Sequence, residues 1–219
     1  MHLGLIGGIG VAATVVYYQR LTAAVGGPFD LTIEHADVQA LIRNNLADDR
    51  NTQARIYARH IDRLARAGCD AVAITSLGGH FCFDETEALS PVPLISAVEP
   101  LDAFFAAQGI GCVGLLGTRV VMHTRLYGQL TRTGSVVLDD EADHLGQTYQ
   151  NMAVAGHCTT DQRALFIDAG RRMVHDLGAE AIVLAGTDLN LAFDGQDPGY
   201  PVIDALDVHV AELARLIKA

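Results

Sequence analysis

The sequence predicts an α/β protein of two pseudo-two-fold-related, doubly wound lobes, whose parallel sheets face a central cleft. Three observations predict it. Short apolar runs rich in Val, Ile and Leu alternate with longer segments of helical spacing, the pattern of parallel strands joined by crossover helices. Segments of the first half recur in the second, in the same order and at nearly one offset. Over 219 residues, 50% are hydrophobic and 19% charged, a balance that suits a globular chain able to bury a sizeable core.

Strands are expected at residues 3–6, 31–36, 71–75, 93–96, 112–116, 135–138, 181–185 and 201–203. Between them, stretches 50–67 and 161–177 place apolar residues at helical spacing, with Arg and Asp on the other face. Gly4-Leu5-Ile6-Gly7 returns as Gly114-Leu115-Leu116-Gly117, an offset of 110 (114 less 4). Ala67-Gly68-Cys69-Asp70-Ala71-Val72 returns as Leu177-Gly178-Ala179-Glu180-Ala181-Ile182 at the same offset of 110 (177 less 67). Val92-Pro93-Leu94-Ile95 returns as Tyr200-Pro201-Val202-Ile203, offset by 108 (200 less 92). So long a period reads as duplication of a whole lobe rather than as a solenoid unit. The expected lobes are residues 1–98, completed by a C-terminal helix over 206–219, and residues 99–205.

A net charge of −11 argues against nucleic-acid and anionic-membrane partners, which need clustered Lys and Arg. It leaves room for an anionic small molecule in a locally positive pocket. No apolar run approaches the roughly 20 residues that span a bilayer. The chain starts at once on a strand-like run, leaving no room for a signal peptide, so a cytoplasmic protein is expected. Four cysteines without CxxC spacing and nine histidines without HxH or HExxH patterns suggest no metal site. Cys69 and Cys112, beside apolar strand-like runs, read as small buried hydrophobes.

In open α/β sheets ligands bind beyond the carboxyl ends of the strands. The strand ending at Thr75 leads into Ser76-Leu77-Gly78-Gly79-His80, and its counterpart ending at Ala185 leads into Gly186-Thr187-Asp188-Leu189. Ser76 and Gly186 are therefore equivalent positions. Gly7-Gly8-Ile9-Gly10 also lies between a strand and a helix, but Ala12 stands where a dinucleotide fingerprint has its third glycine. Backbone N–H groups of Gly8, Ile9 and Gly10 are instead candidates to hold a carboxylate at the helix N-terminus. Thr118 would add a hydroxyl at the matching end of the second lobe. Arg43, and beside Thr118 also Arg119, are candidates for pairing a further carboxylate, because guanidinium matches that group bidentately.

Taken together, these motifs resemble the aspartate/glutamate racemase superfamily, which works without pyridoxal phosphate. The resemblance covers nearly the whole chain. It runs from Gly7-Gly8-Ile9-Gly10-Val11-Ala12-Ala13-Thr14 with Tyr17-Tyr18, through Ala67-Gly68-Cys69-Asp70 and the Ser76–His80 loop, to Gly114-Leu115-Leu116-Gly117-Thr118 and Gly186-Thr187-Asp188. It implies proton transfer at the α-carbon of a small carboxylic or amino acid, aspartate- or glutamate-like. It also implies a homodimer and no cofactor; no lysine stands out as a pyridoxal phosphate anchor.

The family usually reads Cys-Asn-Thr-x-His where this chain has Ser76 to His80, and Cys-Thr-Glu where it has Gly186-Thr187-Asp188. The family's two cysteines flank the substrate's α-carbon; here one position is serine and the other glycine. A serine hydroxyl needs a neighbouring base, and glycine offers no proton. Two-thiol racemisation therefore cannot run from these positions. The candidate catalytic replacements are Ser76, Thr187, His80 and Asp188. Thr75, Leu77, Gly78 and Gly186 would line the substrate, and Cys82 would enter if the loop register differed. Each has a structural reading beside the catalytic one: His80 as a loop-stabilising hydrogen bonder, Asp188 as a cap or loop organiser, Cys82 as a packed thiol. The superfamily also holds decarboxylases with one catalytic cysteine and isomerases of unsaturated diacids. A diverged lyase, decarboxylase or isomerase, or a non-catalytic small-acid binder, thus stands beside the racemase reading.

Overall fold

The computed structural model describes residues 1–8 and 10–219. Its strands are β1 His2–Gly7, β2 Asp30–His35, β3 Ala71–Ile74, β4 Leu94–Ile95, β5 Cys112–Gly117, β6 Gly134–Val136, β7 Ala181–Ala185 and β8 Val202–Asp204. Its α-helices in the first half are α1 Val11–Val25, α2 Val38–Leu46, α3 Arg50–Arg66, α4 Phe83–Glu87 and α5 Glu99–Ala107. The second half adds α6 Arg119–His123, α7 Ala142–Ala155, α8 Thr160–Leu177, α9 Asn190–Phe193 and α10 Ala205–Lys218. Strands thus form where the apolar runs stand, and α3 and α8 fill the two stretches of helical spacing. The chain divides into two compact units, residues 1–97 with 209–219, and residues 98–208.

Each unit carries one four-stranded parallel sheet. The orders are β2-β1-β3-β4 and β6-β5-β7-β8, the same plan twice. The duplication extends to register. Gly4 pairs with Val72 in the first sheet, and Gly114 with Ile182 in the second, both displaced by the 110 residues read from the sequence. The 108-residue offset also returns, since Val72 pairs with Leu94 and Ile182 with Val202.

The central strands β3 (AVAI) and β7 (AIVLA) are buried at every position. Strands covered on both faces lose polar alternation and become continuous apolar runs. From β1 the chain steps outward to β2, then returns past β1 to β3. With right-handed crossovers, those two steps put their helices on opposite faces of the sheet. The reversal leaves a switch point between the carboxyl ends of β1 and β3, where such sheets bind ligands. The second unit has its own between β5 and β7.

Two polar anchors hold the units together internally. In the first, the Tyr17 hydroxyl on α1 meets His209 Nδ1 on α10 at 2.9 Å, both side chains fully buried, which ties the last helix to the first. In the second, Asp102 on α5 is 7% exposed. Its carboxylate accepts the backbone N–H groups of Thr131, Arg132 and Thr133 and the Thr131 hydroxyl, at 3.0–3.3 Å. Burial by itself raises the Asp102 pKa, but these donors together outweigh it and the net shift is downward. A depressed carboxylate contributes stability above its unfolded pKa of about 3.9, lost as pH falls through the folded value. Asp102→Ala strands three amides and is expected to cost about 2–4 kcal/mol in urea unfolding at neutral pH. An unchanged midpoint would show that water replaces the carboxylate freely.

The thiols divide. Cys69 is buried, as its strand-side place suggests. Cys112 is only half-buried, a correction to its reading as a core residue: it opens β5, one position before the buried run begins.

Candidate functional site

At the switch point of the first unit, Gly8 turns the chain with φ +87°. A Cβ there would strike the His35 ring and lie 2.8 Å from the Ala36 carbonyl, so glycine is required. Its N–H is already given to Thr14 Oγ1 at 2.9 Å, which corrects the expectation that it is free for a ligand carboxylate. Gly10 is the N-cap of α1, and its carbonyl accepts the Thr14 N–H and hydroxyl, both at 3.1 Å. Ile9 lies outside the described residues. Beside Gly8 opens a cavity of about 630 Å³, lined among others by Val11, His35, Arg59, His60 and Arg63. Glu34 takes up Arg63 at 2.6 Å and His60 at 3.1 Å. These basic residues stand on α3 and at the end of β2, and no sequence motif marked them.

The loop after β3 is built inward. Thr75 is fully buried and its hydroxyl donates to the Ile6 carbonyl at 3.1 Å, with Thr14 Oγ1 at 3.5 Å. It serves the β1–β3 junction. Ser76, 8% exposed, accepts the Gly79 N–H on Oγ at 3.2 Å. Leu77 is wholly buried apolar packing, and the Gly78 carbonyl accepts the Asn45 amide of α2 at 3.2 Å. Arg43 sits exposed in the last turn of that helix, where a cation complements the helix dipole.

His80 is 4% exposed and spent on backbone. Ala97 N–H donates to Nε2 at 3.0 Å, so that nitrogen is unprotonated, and Nδ1–H then donates to the Ser76 carbonyl at 2.7 Å. The ring stacks on Phe83 at 5.2 Å. Burial, against the Ser76 hydrogen bond, takes its pKa down to about 4. Both nitrogens are thus engaged by backbone, which favours the loop-stabilising reading of His80. Cys82 is fully buried beside the Thr86 hydroxyl at 3.6 Å, and burial pushes its pKa up to about 12. It packs rather than reacts.

In the second unit Thr118 is the N-cap of α6, its hydroxyl accepting the Val121 N–H at 3.3 Å and keeping its own proton to donate. Arg119 donates to Gln147 Oε1 at 3.0 Å. After β7, Gly186 lies under a tyrosine the sequence reading passed over. A Cβ on residue 186 would stand 2.5 Å and 2.7 Å from Cε2 and Cζ of Tyr149. The Tyr149 hydroxyl donates to Asp188 Oδ2 at 3.3 Å, and the Asp188 N–H points back to it at 3.5 Å. Thr187 also hydrogen-bonds to this phenol. Thr187 and Asp188 are each 2% exposed, Tyr149 5%. Burial first, then the Asp188 charge, hold the phenol well above its ordinary 10, while bonds from the Asp188 amide and Thr187 pull the other way. Gly186, Thr187 and Asp188 thus come together around Tyr149. Among the described residues, no group of three or more His, Cys, Asp or Glu side chains could hold a metal ion. No helix among them is long and apolar enough to cross a membrane.

Known structures share this architecture. A Yersinia pestis protein provisionally described as an Asp/Glu racemase is 23% identical, each chain covered in full, with TM-score 0.80. An aspartate racemase homologue from Pyrococcus horikoshii OT3 is 22% identical over 100% of this chain and 99% of its own, with TM-score 0.79. The aspartate racemase of Picrophilus torridus is 18% identical over 98% and 95%, with TM-score 0.74. At these identities the likeness establishes the fold. The sequence model of the Asp/Glu/hydantoin racemase family matches residues 6–213, across both units and every loop described above, so the chain belongs to that family of isomerases.

Proposed function

We propose that the protein binds a small amino or carboxylic acid, aspartate- or glutamate-like, and moves a proton at its α-carbon without a cofactor. One observation carries the reading. In the equivalent loops beyond the two central strands, the chain buries polar side chains: Thr75 and Ser76 after β3, Thr187 and Asp188 after β7. Buried polar groups gathered at switch points mark a binding site more readily than a packing solution. In the cavity beside Gly8, lined by Asp37 as well as by basic residues, Arg59 is a candidate cation for an acidic ligand, next to the Arg63 and His60 that Glu34 takes up. Of the four catalytic candidates, Ser76, Thr187 and Asp188 stay in the proposal, and His80 leaves it. Gly78 and Gly186 stay as backbone that approaches the ligand, and Arg43 as a surface cation near the loop after β3.

The test is proton NMR with L-aspartate and L-glutamate in heavy water. Loss of the α-proton signal is expected, after which chiral analysis shows whether both faces are reprotonated. Unchanged signals with both amino acids would sink proton transfer on these substrates. The proposal includes a cytoplasmic homodimer; the exposed stripe Val11, Val15 and Tyr18 on α1, 49–61% exposed, supports an interface there, and light scattering would decide it. A second reading, a non-catalytic small-acid binder, is favoured by the absence of a side chain at Gly186 and by the engagement of both His80 nitrogens. Calorimetry showing tight binding with no exchange would select it.

A further inference from the structure

We propose that Tyr149 stands in for the missing second thiol. Its ring takes the volume in which a side chain on residue 186 would stand, and its hydroxyl joins Thr187 and Asp188 as a polar group that would meet the ligand. The proposal rests on the small-acid reading above and specifies one residue of that site.

The geometry has two parts. First, Gly186 and Tyr149 are mutually exclusive with a thiol. A Cβ on residue 186 would also lie 3.1 Å from the Gly117 Cα, so it is boxed by a ring on one side and backbone on the other. Tyr149 on α7 is held in the core and cannot swing away freely as a surface side chain would. The glycine is therefore matched to the tyrosine and is not a simple loss. Second, the phenol is polar, buried and placed. It meets Asp188 Oδ2, the Asp188 N–H and Thr187, the two side chains that follow position 186. The bond the hydroxyl donates, to Asp188 Oδ2 at 3.3 Å, is long for a hydroxyl hydrogen bond, so a nearer acceptor would draw the O–H. A ligand carboxylate is such an acceptor. Because the phenol keeps its proton throughout the physiological range, Tyr149 acts as a donor and not as a base. A packing residue would need the ring but not the hydroxyl.

The experiment is a stability cycle over Gly186→Cys, Tyr149→Ala and the double variant, with thiol titration, joined to L-aspartate binding by Tyr149→Phe. Gly186→Cys alone is expected to lower Tm by about 5 °C and to hide its thiol from a colorimetric reagent. In the double variant the thiol should react, and the second substitution should cost less than it does in the wild-type background. Tyr149→Phe should still fold, with Tm lowered by a few degrees for the lost Asp188 contact, and weaken L-aspartate about tenfold or more. A Gly186→Cys protein as stable as wild type, with a reactive thiol, overturns the exclusion. Unaltered L-aspartate affinity in Tyr149→Phe overturns the hydroxyl's role. A wild-type protein that binds neither L-aspartate nor L-glutamate defeats the small-acid reading and the hydroxyl's role with it, while the stability cycle still decides whether Tyr149 fills the thiol's place.

Discussion

Between pH 6.5 and 4.5 the protein is expected to lose on the order of 5 kcal/mol of stability, before its structural carboxylates titrate. The cause is a pair of histidines sealed in the first unit. Burial takes His80 down to about 4, against the Ser76 carbonyl that favours its proton. Burial takes His209 to about 3, helped by the proximity of His80 and opposed by the Ile95 backbone. An unfolded histidine titrates near 6.5, so below that pH the unfolded chain binds protons that the folded one refuses. Stability is therefore full above about 6.5 and declines as pH falls toward the folded values, with a slope approaching two protons. Glu34, Asp102 and Glu141 have lowered values and add their losses only further into acid. The chain has no tryptophan, so urea unfolding is best followed by circular dichroism at several pH values. His209→Leu should reduce the slope toward one proton, while removing the His209 ring from the Tyr17 hydroxyl. Stability that stays flat from pH 6.5 to 4.5 would mean that the histidines reach water in the folded state.

The fold was legible because a parallel sheet writes itself in short apolar runs, and because this chain writes it twice. The offsets of 110 and 108 residues reappear as the register of β1 on β3 and of β5 on β7, and of the edge strands β4 and β8. The strand-end loops were legible for the same reason, since parallel topology puts them at the switch points. What individual side chains do there was not. His80 and Thr75 stand at the right loop, but only coordinates show that carbonyls of the loop and of β1 absorb their protons. That Thr118 caps α6 is likewise seen only in the coordinates. Tyr149 carried no signal at all. It lies within an ordinary helical pattern 39 residues before Asp188, and a tyrosine at a core-facing position reads as packing. Its one trace in the sequence is indirect: a glycine where the resemblance expects cysteine asks what fills the space.

Gly117→Ala is expected to cost about 3 kcal/mol, more than the same change at Gly114 or Gly7. Gly117 ends β5 and pairs in register with Ala185, the last residue of β7. A Cβ on it would lie 2.6 Å from the Ala185 carbonyl oxygen and 2.8 Å from the carbonyl carbon, with Gly186 N at 3.2 Å. These are backbone atoms of a strand bonded on both sides, to β5 and to β8. They cannot rotate aside, so β7 must part from β5 at the end that carries Gly186, Thr187 and Asp188. Two neighbouring glycines give the comparison. At Gly114 the added methyl meets the tip of Ile182, Cδ1, at 2.5 Å, and at Gly7 it meets the Thr14 side chain. Ile182 can change rotamer, so Gly114→Ala should cost about 1 kcal/mol. Gly7→Ala should be intermediate, because Thr14 is held by Gly8 and Gly10. Calorimetric unfolding of the three variants tests the order, and α-proton exchange tests its consequence, since only Gly117→Ala strains the loop after β7. Equal costs at Gly117 and Gly114 would show that the β5–β7 junction gives way as easily as a side chain, and the rigid seat assigned to Gly186 and Tyr149 would fall with it.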